Sequence, residues 1–243
     1  MPRELKKQEI EKEENINEAE EFVTEIKSVE AGKFIPKTSL GKDVVNGKIT
    51  SIDQIFESGR KIIEPEIVDI LIPNISVETI LIGGSTGKGG GIRRTPIRRT
   101  TRMHKSGRRY RISIMVVVGN GNGYIGVGFA KGSAQKHKEI MEKAIRNAKL
   151  NIFPVLRGCG NWECRCGTNH SIPFAVSGKS GSVRINLFPA PKGVGLVASD
   201  EIKKIFRLAG IKDIWCKSRG KTATRINHIY ATIDALKELN RRK

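Results

Sequence analysis

The chain has 243 residues, 28% charged and only 5% aromatic, with 44 Lys or Arg against 25 Asp or Glu and a formal net charge of +19. That length suits one large or two small domains with a real core. It holds no apolar run near the roughly 18 residues of a membrane span, and its first residues, MPRELKKQEIEKEE, lack the apolar segment of a signal peptide, so a cytoplasmic protein is expected.

The charge is segregated. Residues 1–80 carry eleven basic and seventeen acidic side chains, and 81–243 the other thirty-three and eight. From Thr79 to Lys138, sixty residues pass without Asp or Glu while thirteen are Lys or Arg. A solvated face for its own sake mixes signs. A long single-sign stretch needs an external counter-charge, and nucleic acid is the commonest polyanion in a cell. Binding through so many cations releases condensed counterions and is therefore salt-dependent. A basic membrane-surface protein is disfavoured, because no amphipathic helix sets this charge beside an exposed aromatic face.

In chain order, residues 1–30 are rich in Glu and Lys and read as a charged arm, either a solvated helix or disordered. Residues 31–82 hold short apolar pieces broken by Gly and Pro, expected to be an extension that wraps neighbouring surfaces, with a strand at 79–82. The 83–101 stretch reads as a flexible Gly/Arg-rich linker. Across 102–156 the pattern sharpens. Alternation at 110–118 predicts a strand, the GNGNG at 119–123 a turn, and 124–130 the returning strand. Ser133 is the expected N-cap of a helix to about Asn151, with Ile140, Ala144, Ile145 and Ala148 on one face, and 151–155 reads as extended. A sheet with one packed helix and basic loops is the plan of a double-stranded-RNA-binding fold.

The 157–170 segment is a Cys/His loop, and 171–243 a second β-α unit. In that unit 171–176 and 182–188 read as strands, Ser199 caps a helix at 200–209 stopped by Gly210, 211–215 is a short strand, and Thr224 caps a final helix. The fold class expected is α+β: a double-stranded-RNA-binding-like sheet and helix, then a two-layer β-α domain, behind an extended N-terminal arm.

Several motifs bear on chemistry. Gly121-x-Gly123-x-x-Gly126 matches the dinucleotide fingerprint, but a strand rather than a helix follows and no acid lies about twenty residues on. It reads as a glycine-rich hairpin whose glycines allow close approach of a backbone, an RNA phosphate among the candidates. The 83–89 stretch fails as a P-loop, because Ile82 stands where a glycine is needed and Gly89 where Ser or Thr is. Cys159, Cys164, Cys166 and His170 fall within twelve residues and offer the four soft ligands of one structural, tetrahedral Zn²⁺. Reduced structural thiols beside an exposed histidine, and redox-sensitive thiols, are the competing readings. Cys216 reads as a core thiol. Two basic segments, 100–111 and 217–225, favour phosphate contact, the second just before a helix N-terminus. On charge and placement the phosphate-binding candidates are Arg98, Arg99, Lys131, Lys179, Lys217, Arg219, Lys221 and Arg225. No catalytic constellation is found.

The segments 108–128 (RRYRISIMVVVGNGNGYIGVG), 148–160 (AKLNIFPVLRGCG), 170–174 (HSIPF), 178–195 (GKSGSVRINLFPAPKGVG), 208–215 (LAGIKDIW) and 220–227 (GKTATRIN) resemble the small-subunit ribosomal protein S-five family. The segments 36–42 and 47–56 resemble the extension of its archaeal and eukaryotic branch, and the cysteine cluster its archaeal side. The repeated Ile-Arg-Arg-Thr at 92–95 and 97–100, and the segment 132–138, depart from the family pattern. The resemblance implies a non-enzymatic constituent of the small subunit, near the decoding centre and the path by which mRNA enters. It implies rRNA, the small-subunit proteins S-four and S-eight, and mRNA as partners, an influence on translational accuracy, and no small-molecule substrate. Carried over, rRNA contact falls on Arg102, Lys105, Arg108, Arg109, Arg111, Asn120 and Asn122. A stand-alone double-stranded-RNA-binding module and a metal-dependent nuclease using the Cys/His loop are the alternatives.

Overall fold

The computed structural model describes residues 34–86, 91–164 and 166–241; the charged arm at 1–30 and the glycines at 87–90 lie outside the described residues. The chain divides into two units, 1–73 and 74–243.

The first unit carries three short helices: α1 (Ser39–Val45), α2 (Ile52–Glu57) and α3 (Glu66–Leu71). Thr38 caps α1, its Oγ1 accepting from Gly41 N–H at 3.0 Å, while the Glu64 carboxylate accepts from the Lys37 and Thr38 amides. With six or seven residues each, these helices fall short of two turns, too few to print a 3.6-residue period.

The second unit is built on two sheets. In the first, β1 (Ser76–Thr79) and β4 (Ile97–His104) both pair with one edge of the long strand β5 (Gly107–Gly119), whose other edge pairs with β6 (Tyr124–Ser133), and β7 (Ile152–Pro154) closes the far side. The residues expected as strand at 79–82 largely follow β1: Ile80 and Ile82 are buried plugs of the core, although Ile80 N–H still bonds the Met115 carbonyl. The expected linker is corrected too. Residues 83–86 and 92–95 form an antiparallel hairpin, β2 and β3, and 97–104 are strand. β-Branched Ile92, Thr95, Ile97, Thr100 and Thr101 favour pairing, and the glycines there permit it: a Cβ on Gly83 would stand 2.0 Å from the Ile97 carbonyl.

Ile112 to Val118 is buried throughout because both faces of β5 are covered. Helix α4 (His137–Leu150) lies on one face, over Gly126 and Gly128, where a Cβ would meet the carbonyls of Ala148 at 2.2 Å and Ala144 at 2.0 Å. These two glycines therefore seat a helix and not an RNA phosphate. The other face, with Met115 and Val117, joins the core of the second half. α4 begins three residues later than expected, because Ser133 is still in strand, opposite Arg111, and no side chain caps the helix at Lys136.

The second sheet runs β10 (Leu196–Val197), β11 (Ile214–Arg219), β9 (Val183–Pro189), β8 (Val176–Ser180). The strand expected at 171–176 reduces to a bridge between Ser171 and Gly158 ahead of β8. β11 runs four residues past the expected end, placing Lys217 and Arg219 on a strand rather than a loop. Helix α5 (Asp200–Ala209) packs against β5 and β6, and Gly210 at φ 78° stops it as expected, although Ser199 makes no side-chain cap bond. Helix α6 (Arg225–Arg241) covers β8 and β9, its backbone close over Gly178. The Thr224 hydroxyl donates to the Lys221 carbonyl just before α6 begins.

On α6, His228 is buried and its Nε2 has no hydrogen-bond partner. Burial pushes its pKa down. The unfolded chain therefore binds a proton that the folded chain resists, and stability is lost as pH falls below the ordinary histidine value near ~6.5. His228→Leu is expected to raise stability at pH 7 by about 1 kcal/mol by removing an unpaired polar atom, and to flatten the loss between pH 7 and 5. Urea midpoints at three pH values check both, and parallel slopes for the two proteins would contradict the second.

Candidate nucleic-acid interface and metal centre

Strands β4 and β5 run beyond the core as an exposed ribbon, from Arg98 to His104 and back through Arg108 to Arg111, and it is two-stranded past Arg111, where the pairing with β6 ends. Register decides its electrostatics. Arg102 stands directly opposite Arg109, and Arg98, Arg102, Arg109 and Arg111 share one face. The other face carries Arg99 and Arg108, with the Arg99 guanidinium 4.6 Å from the Tyr110 ring centroid. Like charges directly across an antiparallel pair destabilise it. Arg109 Nη2 donates to Ser106 Oγ at 2.9 Å, a neutral partner that relieves none of the charge. Lys105 sits in the turn, and Lys131 on β6 lies 5.8 Å from the Phe129 ring.

A second basic surface emerges on the sheet face turned away from α6. Lys179, Arg184 and Arg219 form one exposed row across β8, β9 and β11, and Phe188 and Trp215, each 38% exposed, form another. Lys217 lies between the rows, and exposed Lys221 follows in the turn. Arg184, Phe188 and Trp215 were missed in the sequence. For Arg184 and Phe188 the signal was present in the alternation of 183–189, which marks every second residue as outward.

Three expected contacts are engaged within the protein. Asn120 Oδ1 accepts from the amides of Asn122 and Tyr124 and closes the hairpin turn. Asn122 Oδ1 accepts from Arg157 Nη2 at 2.6 Å. Arg225 is half-buried, its guanidinium donating to the carbonyls of Leu81 and Gly83. Arg157, Lys192, Arg207 and Lys212 come together around one cleft, a grouping of distant positions that no local motif announces.

The Cys/His loop bridges the two sheets and is held by backbone bonds: Gly158 and Ser171 pair, and Gly160 N–H reaches the Ile172 carbonyl. The ligand atoms of Cys159, Cys164, Cys166 and His170 lie within 4.8 Å of one another. A tetrahedral zinc with bonds of about 2.0–2.3 Å has ligand separations a little under about 4 Å, so a small contraction closes the site. His170 is buried rather than exposed and turns Nε2 toward the thiols, 3.8 Å from Cys164 Sγ. Hydrogen bonds from Thr168 lower the Cys166 thiol to about 6, while desolvation pushes Cys159 up to about 11. Cys216 lies apart in β11, its thiol raised to about 11 by burial.

Comparison with known proteins agrees with this layout. The family description "Ribosomal protein S5, N-terminal domain" matches residues 95–156, and "Ribosomal protein S5, C-terminal domain" matches 178–243. A protein of Nanoarchaeum equitans named "Small ribosomal subunit protein uS5" is 52% identical over 205 residues, 84% of this chain and 87% of that one. Proteins of the same name from Methanocaldococcus jannaschii and Staphylothermus marinus are 49% and 48% identical, each with 84% of this chain and 87% of the relative covered.

Proposed function

Because the chain belongs to the ribosomal protein S5 family, we propose that it serves the small ribosomal subunit, as a structural constituent and not an enzyme, by clamping rRNA with the β4–β5 ribbon. The observation that carries this is the unrelieved pairing of Arg102 with Arg109 inside a sixty-residue stretch free of acids. A polyanion outside the protein supplies the missing charge.

Arg98, Arg99, Lys105, Arg108 and Arg111 extend the clamp along the ribbon, and Lys131 lies on β6 beside it. Lys179, Lys217, Arg219 and Lys221 supply a second anchoring face. With Phe188 and Trp215 beside the cations, that face suits unstacked bases as well as phosphates. The clamp works near the decoding centre and the path by which mRNA enters, beside the proteins S-four and S-eight, and contributes to translational accuracy. One structural zinc, held by Cys159, Cys164, Cys166 and His170, staples the loop between the two sheets.

The test is a salt titration of the full-length protein on small-subunit rRNA. Replacing both Arg108 and Arg109 with Ala is expected to weaken binding and lower the slope of log affinity on log salt by about 2, one for each lost phosphate contact. An unchanged slope would move the footprint off the ribbon. Retention on subunits in high salt separates this reading from a free double-stranded-RNA-binding module, which would wash off.

A further inference from the structure

His170 makes a second interaction that the four-ligand description leaves out. Its Nδ1 lies 2.8 Å from Asp213 Oδ2, and both side chains are buried, 5% and 6% exposed. The other carboxylate oxygen, Oδ1, accepts from the backbone amides of Gly193 at 3.1 Å and Gly195 at 2.7 Å. The amides of Lys212 and Asp213 in turn both reach the His170 carbonyl. Side chain and backbone thus lock the two residues together from both directions, across forty-three positions of sequence.

Neutral imidazole has one N–H and one lone pair, and the partner of one nitrogen decides the role of the other. A carboxylate accepts, so the proton sits on Nδ1 and the lone pair on Nε2, the atom that faces Cys164 Sγ at 3.8 Å. We propose that Asp213 is the positioning residue of the metal centre: it holds His170 in the Nδ1–H tautomer and aims Nε2 at the ion. The proposal rests on the metal reading above. It assigns a task to a buried carboxylate that the thiol-rich motif does not contain. Carboxylates behind metal-bound histidines are worth about 10- to 100-fold in metal affinity.

Asp213→Asn is the informative change because it keeps the shape and reverses one polarity. The Gly193 and Gly195 amides demand an acceptor, so the Asn carbonyl oxygen stays on them. Its NH₂ then faces Nδ1 as a donor, which forces the proton onto Nε2 and removes the lone pair from the metal.

Full-length protein, purified reduced and stripped of metal, is titrated with Zn²⁺ against a competing chelator. The His170 tautomer is read from ¹⁵N chemical shifts of the zinc-free protein, a signal that a purely structural role for Asp213 would leave alone. Expected are Nδ1–H in the parent, Nε2–H in Asp213→Asn, and zinc affinity reduced about 10- to 100-fold in the variant. The parent tautomer needs no variant to fold, and Nε2–H there overturns the proposal outright. A parent that takes up no zinc defeats the metal reading and this proposal with it. A parent that binds zinc while Asp213→Asn binds it equally tightly defeats the assignment of Asp213 alone. Weaker binding with the tautomer unchanged also defeats it, since the loss would then arise elsewhere.

Discussion

Gly128→Ala is expected to cost about 3 kcal/mol or more, at the upper end of overpacking penalties, and to lower the urea midpoint accordingly. A methyl group at that position would stand 2.0 Å from the Ala144 carbonyl oxygen and 2.4 Å from the Ala148 amide nitrogen. Both are backbone atoms of α4, so no rotamer change relieves the clash; the helix must lift off the sheet. Lifting it exposes Ile140, Ala144 and Ala148 and uncovers Ile114, Val116 and Val118 on β5. Those β5 residues continue directly from the basic ribbon, so looser packing also frees the ribbon's base. Gly121→Ala is the control: its φ of 65° favours glycine, but no atom lies within 4 Å of the added carbon. It is expected to cost only the left-handed penalty of about 1–2 kcal/mol. Equal midpoints for the two variants would show that α4 is not seated on Gly128 as described.

Zinc removal is the second large effect. At free zinc a thousand-fold above the dissociation constant, binding to the folded state alone stabilises it by about 4 kcal/mol. For a unit of this size that corresponds to a melting temperature lower by roughly 8–16 °C after chelation. The loop that such an ion would close joins the first sheet to the second, with Gly158, Gly160, Ser171 and Ile172 bonded across its neck. Loss of metal is therefore expected to raise amide exchange at 158–172 first, before the strands on either side. Cys164→Ser should melt where the chelated parent does and show no response to chelator. A parent that carries stoichiometric zinc and melts identically without it would make the ion incidental to the fold.

The readings that held rest on local physics. The hairpin at 119–123 is legible because Gly121 and Gly123 adopt positive φ that other residues resist. Helix α5 is legible because Asp200 and Glu201 open it and Gly210 ends it. That Cys159, Cys164, Cys166 and His170 come together is legible because all four residues sit within one short loop. The readings that missed depend on pairing. Nothing in the glycine-rich stretch after Ile82 announces that it returns on itself as β2 and β3, since a strand is defined by its partner as much as by its own residues. The same holds for β11, where Lys217 and Arg219 look like loop cations until β9 is laid beside them.

By itself the sequence determined the charge segregation, on which the proposal of a polyanionic partner rests. It also determined the apolar periods that divide the chain into sheet and helix, and the thiol-rich ligand set. Only the tertiary structure decided how those groups are spent. It set Arg102 against Arg109, gathered Lys179, Arg184 and Arg219 into one row, and turned Arg225 inward to the carbonyls of Leu81 and Gly83. It also brought Asp213 to His170. Composition and periodicity report on each residue's solvation and its near neighbours. A hydrogen bond or a like-charge pair between distant positions exists only once chain packing has fixed the register.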